Sequence, residues 1–522
     1  MYHPFLGRTL VCATETHGVH THRVEVGLLL EEINRIDSRI ASEPGLVAQR
    51  ALLLRKLNLI QPAIARLPYE MISNIFKLLT PSPIDACTLS IASRSQRAPL
   101  SAYYVPLLLS AVSMQWREIA YSTPSIWTSV HWTSSLKERF PPWLLLIYIR
   151  NSGNLPLHLS LSLRPSGKSK HLVDPIIDAE LIQNMPRIRA LELGGPPTSW
   201  DTYFHKLTSV VDLALDFEGD DFRHNISLDR CTTLRHVYLQ SQTANSRFRL
   251  PWNLTHLDVS LQSIDRALKI LCRCPNIVEL YFGYSESPSD DDPGIDLWFE
   301  GPIFFNHLEV FTWSIPDTAE TWEWAHAFMD VARMPVLRKL SLLMEDHHHD
   351  ASSYALTTIE YRFFERVSRT VSTLALNILA AGSIFPCFFS SDSALENLTI
   401  SDSAIAVVAD LAAALMPKDS GAGKQAPRLK MLKLTGVFME IEGEEPRISV
   451  KYILDIQPFH LQKLVTALER RLAGRDEFCI EFSRLSPQWT YSFQNRLRKM
   501  VKNGVKLDIV EDGNHVDWLH AV

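Results

Sequence analysis

Six residues able to do recognition chemistry recur as pairs two positions apart in three successive segments: His236 and Tyr238, His256 and Asp258, Glu279 and Tyr281. Side chains two apart on a strand share one face, so these six are expected together on one surface. Imidazole, carboxylate and phenol so grouped are polar, aromatic and net acidic. That suits a ligand or protein segment of basic character, with tyrosine as an exposed anchor; an ordinary solvated strand face is the other reading. Other chemical candidates are thinner. Ser420-Gly-Ala-Gly-Lys424-Gln425 lacks the first glycine of a phosphate loop, since Lys418 stands there, and Gln425 replaces the hydroxyl that would hold Mg²⁺; it reads as a linker. His347-His348-His349-Asp350 reads as a solvated loop, because consecutive residues rarely converge on one ion. Cys272-Arg-Cys274 has no second pair to complete a zinc site, and Cys272 reads as a helix core residue. Glu286 to Asp292 forms an acidic loop with Ser287 and Ser289 as candidate phosphorylation sites. The chain has no Gly-x-Ser-x-Gly, His-Glu-x-x-His or Gly-x-Gly-x-x-Gly. No catalytic residue, cofactor or metal is expected.

The elements that position the six residues are repeats. An apolar-x-x-apolar-x-apolar template occurs ten times, starting at Ile188, Val210, Leu234, Leu254, Ile277, Leu308, Leu337, Val371, Leu395 and Leu429, with starts 20 to 34 residues apart. Pro186, Pro275, Pro335 and Pro427 stand just ahead of four of them. Helical stretches such as Ser263–Cys272 and Ala404–Met416 fall between. Short strand, turn and returning helix at this period are the leucine-rich-repeat signature. Such units bury their apolar faces only by stacking. The positions flanking the middle apolar residue then point outward, onto the concave face. Asn154 to Leu163, with leucine at every second position from Leu155, reads as a half-buried strand ahead of the repeats.

At 522 residues the chain needs several domains or one solenoid with an appendage. A net charge of −6 gives no electrostatic case for nucleic acid. Seven scattered cysteines read as a reduced protein and not a disulfide scaffold. The longest apolar run, Trp143–Ile149, is far short of the roughly 20 residues a membrane span needs. With no basic-then-apolar start, the expectation is a cytoplasmic or nuclear protein that is not secreted. Asn225, Asn253 and Asn397 then carry chance glycosylation motifs.

Toward the N-terminus, Ile33, Ile40, Val47 and Leu54 recur every seven residues, with Ile36 and Leu57 on the second seam. Pro44-Gly45 interrupts them, which favours two helices folded back on each other; a dimerisation helix is the alternative. Next comes Leu67-Pro68-Tyr-Glu70-Met-Ile72-Ser-Asn-Ile75-Phe76. Pro68 can open a helix and Glu70 suits its first turn. Leu108, Leu109, Val112, Trp116 and Ile119 repeat the helical spacing, and Pro124-Ser-Ile126-Trp127 closes the stretch.

Leu-Pro-x-Glu-x-Ile-x-x-Ile-Phe, Val-x-x-x-Trp-Arg-x-x-Ala and Pro-x-x-Trp together resemble the F-box of the large fungal (basidiomycete-type) F-box families. The match spans about residues 62–130. It departs from the family in a long insertion, residues 80–106, and in Ser113, where the family often has cysteine. The resemblance implies docking on the adaptor of an SCF (cullin–RING) ubiquitin ligase, and through it on the cullin, by Leu67, Pro68, Ile72, Ile75, Phe76, Val112 and Trp116. The expected fold is α/β: a short helical F-box module, then a right-handed leucine-rich-repeat-like solenoid with a parallel strand array. The expected organisation is a mobile N-terminus (1–25), a helical hairpin or short coiled coil (26–61), the F-box (62–130), the solenoid (150–440) and atypical capping repeats (441–522). The implied role is a non-catalytic substrate receptor that binds a protein target. The alternative is an interaction scaffold without ubiquitin transfer. Neither nucleic acid nor membrane is an expected partner.

Overall fold

The computed structural model describes residues 16–39, 43, 45–60, 67–80, 104–133, 142–163, 175–217, 224–240, 247–260, 264–283, 301–314, 319–343, 356–377, 383–401, 405–416, 428–435, 458–472, 478–483, 491–511, 514–516 and 519. The polyhistidine stretch at 347–350, the glycine-lysine segment at 420–425, the acidic loop at 286–292, the first fifteen residues, residues 81–103 of the insertion and residues 441–457 lie outside them. The chain is mixed α/β and divides into two compact units, Met1–Pro81 with Pro99–Trp127, and Ser82–Ala98 with Thr128–Val522. No helix among the described residues is long and apolar enough to cross a membrane.

In the first unit, helices Thr16–Asp37 and Leu46–Ile60 pack together, burying Ile33 and Ile36 and pairing Asp37 with Arg50. Val47, a seam position in the heptad reading, is exposed, so the seven-residue pattern does not run through the break. Helix Tyr69–Leu79 starts just after Pro68, whose carbonyl accepts from the Met71 and Ile72 amides at 3.0 and 3.2 Å. Glu70 lies in its first turn.

The stripe from Leu108 to Ile119 is two helices, Val105–Val112 and Met114–Tyr121. Ser113 separates them in extended backbone (φ −158°, ψ 168°), and its hydroxyl accepts from the Trp116 amide at 3.1 Å. A serine N-cap demands non-helical backbone, so one helix ends where the next begins. Ile119 and Ala120 of the second helix are buried, as are Ile72, Phe76, Ile126 and Trp127. Ser73 and Thr123 share a hydrogen bond of 3.0 Å, and Trp127 Nε1 donates to the Ala120 carbonyl at 2.7 Å. Buried polar groups are thereby satisfied.

The second unit is built on one sheet of fifteen strands whose order follows the chain, except for short segments set aside into two-stranded sheets. Its strands are Ser129–Thr133, Leu157–Ser162, Ile188–Gly194, Asp212–Asp216, His236–Gln240, His256–Ser260, Glu279–Phe282, Val310–Ser314, Lys339–Leu343, Thr373–Asn377, Asn397–Ser401, Met431–Thr435, Cys479–Ser483, Lys506–Glu511 and Asn514–His515. All neighbours are parallel except the last pair. Residues 479–511, expected as atypical caps, continue the same ladder in register.

The register explains the template. Its middle residues align strand to strand, from Leu191 through Leu213, Val237, Leu257, Leu280, Phe311, Leu340, Leu374, Leu398 and Leu432 to Ile480. Its third residues form a second ladder beside them, and every one is buried. Strands parallel on both sides need a crossover each. Helices Pro142–Asn151, Pro175–Asn184, Ile264–Cys272, Ala319–Val331, Thr358–Ser368, Ile405–Leu415, Pro458–Leu472 and Tyr491–Lys502 supply crossovers. Phe328 and Phe363, on two of them, meet Trp313 on its strand, so helices cover the apolar face. Thr357 opens the Thr358–Ser368 helix with a capping box: its hydroxyl accepts from the Glu360 amide, and Glu360 Oε2 accepts from the Thr357 amide at 2.6 Å.

At Gly283 the backbones approach closely. A Cβ there would stand 2.5 Å from Ser260 Oγ and 3.0 Å from Ser260 Cα, while the Gly283 amide donates to the Val259 carbonyl at 2.7 Å. Only glycine lets this crossover leave the sheet beside Ser260.

Candidate functional site

Two surfaces carry the candidate residues, one in each unit. In the helical unit, Pro68 and Val112 are exposed, and Leu67, Ile75 and Trp116 are half-buried. Ile72 and Phe76 are not surface residues: both are 0 % exposed, and the Phe76 ring packs on Trp116 with centroids 5.2 Å apart. The reason is helical phase. Ile72, Ser73 and Phe76 occupy one side of Tyr69–Leu79 and face the core, while Met71, Ile75, Leu78 and Leu79 occupy the next. The apolar surface is thus Met71, Leu78 (86 % exposed) and Leu79, with Leu108, Val112 and Met114 on the following helices. Sequence reasoning missed five of these. The signal was present, since the helix is apolar on two adjacent faces; one stripe alone does not say which face turns inward.

On the sheet, side chains alternate between the helix-covered face and an open face. The six expected residues fall together on the open face, in two rows. His236, His256 and Glu279 are in register on adjacent strands, and so are Tyr238, Asp258 and Tyr281. The first row extends to Asp212, aligned with His236. His236 Nδ1 bonds the Asp212 carboxylate, and His256 Nε2 lies 3.6 Å from Glu279 Oε1. The two imidazoles meet edge to face, centroids 4.2 Å apart. Asp258 accepts from the Ser260 hydroxyl at 3.0 Å.

Tyr238 departs from the expected exposed anchor. It is 3 % exposed, and its hydroxyl donates to Gln240 Oε1 at 2.7 Å. A phenol bonded two residues along its own strand lies down on the sheet among in-register neighbours. Tyr281 is half-buried. The polar face also runs further than the repeat template suggested. Strand Ser129–Thr133 adds His131, whose Nδ1 is 3.0 Å from Ser160 Oγ; that hydroxyl donates to Glu192 at 2.9 Å. His158 lies on the same face, one position before Leu159. The alternation of Leu157–Ser162 held the signal for His158 and Ser160; Ser129–Thr133 is too short to announce itself.

Burial, and then the neighbouring His236, hold His256 below its ordinary value, with Glu279 and Asp212 pulling the other way. Burial and Arg189 do the same to His158 against Asp212. Both imidazoles bind protons less readily folded than unfolded. Their neutral forms therefore add stability above the unfolded value of about 6.5, and that stability is lost as pH falls through it. The unfolding midpoint is expected to drop between about pH 7.5 and about pH 5.5, and to drop less in His158→Gln/His256→Gln. Equal drops in thermal melts would remove these two histidines as the cause.

Cys272 is exposed at its helix end and is not the core residue expected, whereas Cys274 is buried and its thiol is pushed up to about 12 by burial. No group of three or more metal-binding side chains occurs among the described residues. The open face offers carboxylates and imidazoles as hydrogen-bond acceptors for a cationic partner. No family model matches the chain, and no curated protein does.

Proposed function

We propose that the chain is the substrate-recognition subunit of an SCF-type (cullin–RING) ubiquitin ligase. The helical unit docks on the adaptor, and the open sheet face of the second unit holds a protein target. One observation carries the reading: a helical unit whose sequence resembles the F-box leaves apolar side chains exposed on three successive helices, Met71, Leu78, Leu79, Leu108, Val112 and Met114. Exposed apolar side chains gathered on so small a unit mark an interaction surface. The long in-register parallel ladder supports a leucine-rich-repeat-like solenoid as the target-binding part, because each strand–helix unit buries its face only against its neighbours. The chain performs no chemistry in this role. It tethers the target near a ubiquitin-charged enzyme and raises its effective concentration.

The test is capture of the SCF adaptor by the full chain and by Leu78→Glu/Leu108→Glu. Both residues are exposed, so the variant is expected to keep its unfolding midpoint and to lose about tenfold or more in adaptor affinity. Undiminished capture would place the interface elsewhere. No capture by the unaltered chain would favour a scaffold that uses its repeats without ubiquitin transfer.

A further inference from the structure

The open face is electrostatically divided along the sheet. From Ser129 to Ser314 its outward strand positions in register hold no lysine or arginine, and they carry Glu192, Asp212, Asp216, Asp258 and Glu279; the first lysine in these rows is Lys339. Among the described residues, Arg189 and Arg235 border this half. Arg189 lies at the bulge beside His158, and Arg235 turns its Nη1 to the Thr232 and Leu234 carbonyls at 2.8 and 3.0 Å. Within the acidic half, one row is a single level crossing four adjacent strands: Asp212, His236, His256, Glu279. Carboxylates stand at its two ends and the edge-to-face imidazole pair between them.

Resting on the reading of the open face as the target surface, we propose that this row binds an extended basic segment of the target, lying across the strands with cationic side chains four residues apart. Adjacent strands are about 4.8 Å apart, so Asp212 and Glu279 are separated by about 14 Å. An extended chain rises about 3.3 Å per residue and turns alternate side chains to one side, so residues i and i+4 lie about 13 Å apart. The residue at i+2 then meets the His236–His256 pair. A segment lying on a sheet face has no strand edge to pair with, so side-chain charge carries the recognition. Glu279 is the more accessible end, its side chain 53 % exposed against 19 % for Asp212.

The experiment is fluorescence anisotropy of the full chain with labelled serine/threonine-rich peptides at low ionic strength, where exposed charges are least screened. One peptide carries lysines at i and i+4, one at i and i+2, and one carries glutamates at i and i+4. The first is expected to bind tightest and the glutamate peptide not to bind. Glu279→Lys, and separately Asp212→Asn/Glu279→Gln, should each weaken it about fivefold or more, while Asp508→Asn, remote on the same sheet, should not. Binding unchanged by both variants, absence of peptide binding, or equal affinity for the two lysine spacings overturns the proposal. Adaptor capture by the unaltered chain, measured beside its peptide binding, separates the two readings. Capture with no peptide binding rejects the basic segment alone, and loss of capture by the unaltered chain rejects the receptor role.

Discussion

Phe76→Ala is expected to cost the helical unit about 3–5 kcal/mol and to unfold it while the sheet unit keeps its own transition. The ring is 0 % exposed, packs 5.2 Å from Trp116, and sits beside Ile72, which is equally buried. The helices around it run 8 to 11 residues, too short to be stable outside their packing. A marginally stable domain has little to spare against such a loss. Separate melts by circular dichroism and limited proteolysis around residue 120 report it. Leu78→Ser is the matched control: at 86 % exposed it should leave the melt within about 0.5 kcal/mol of the original. If Phe76→Ala melts like Leu78→Ser, the assignment of inner and outer faces fails. The same pair separates folding from docking. Adaptor binding lost in Phe76→Ala would report a collapsed unit, whereas binding lost in Leu78→Glu/Leu108→Glu would report a missing surface.

Trp313→Ala is expected to cost a comparable 3–5 kcal/mol in the second unit, roughly, and Trp313→Phe far less. The indole is 1 % exposed at the meeting of strands and helices, with ring centroids of Phe311, Phe328, Phe282 and Phe363 at 5.6, 6.0, 6.1 and 6.5 Å. Alanine would open a large cavity between Phe282 and Phe311, on strands paired on both sides, and Phe328 and Phe363, on the helices packed over them. Phenylalanine keeps most of the contact area. It also removes Nε1, which is buried without a hydrogen-bond partner among the described residues. Losing an unsatisfied donor relieves a desolvation cost of about 1–3 kcal/mol, which offsets part of the lost volume. Urea titrations of the three proteins read the order directly. A phenylalanine variant as unstable as the alanine one would mean that the indole nitrogen is bonded after all. Because parallel repeats couple mainly to their neighbours, the loss should spread first through strands Glu279–Phe282 and Lys339–Leu343.

The strand ladder was legible from the residues alone. Ile188/Leu191/Leu193 and its nine successors predict both where each strand lies and which side chains turn inward, because a parallel strand covered on one face must repeat its apolar positions at a spacing of two. The same alternation placed His236, His256 and Glu279 on one open face. Other features were decided only by tertiary packing. Ile72 and Leu78 are both apolar residues of one short helix, and nothing local says that the first meets the core and the second meets solvent. Tyr238 sits at an outward position yet is buried, because its exposure depends on where its hydroxyl finds Gln240 and on neighbours brought from other strands. Ser113 divides one apolar stripe into two helices by capping the second, a choice between two local hydrogen-bonding patterns that spacing does not reveal. Ser129–Thr133 becomes a strand through pairing with Leu157–Ser162, a partner on the far side of a helix. Periodicity thus determined the phase of each element in this protein. On the strands that phase also named the inward face, whereas on a short helix apolar on two adjacent faces the choice of core and surface was made by long-range contacts that no single segment contains.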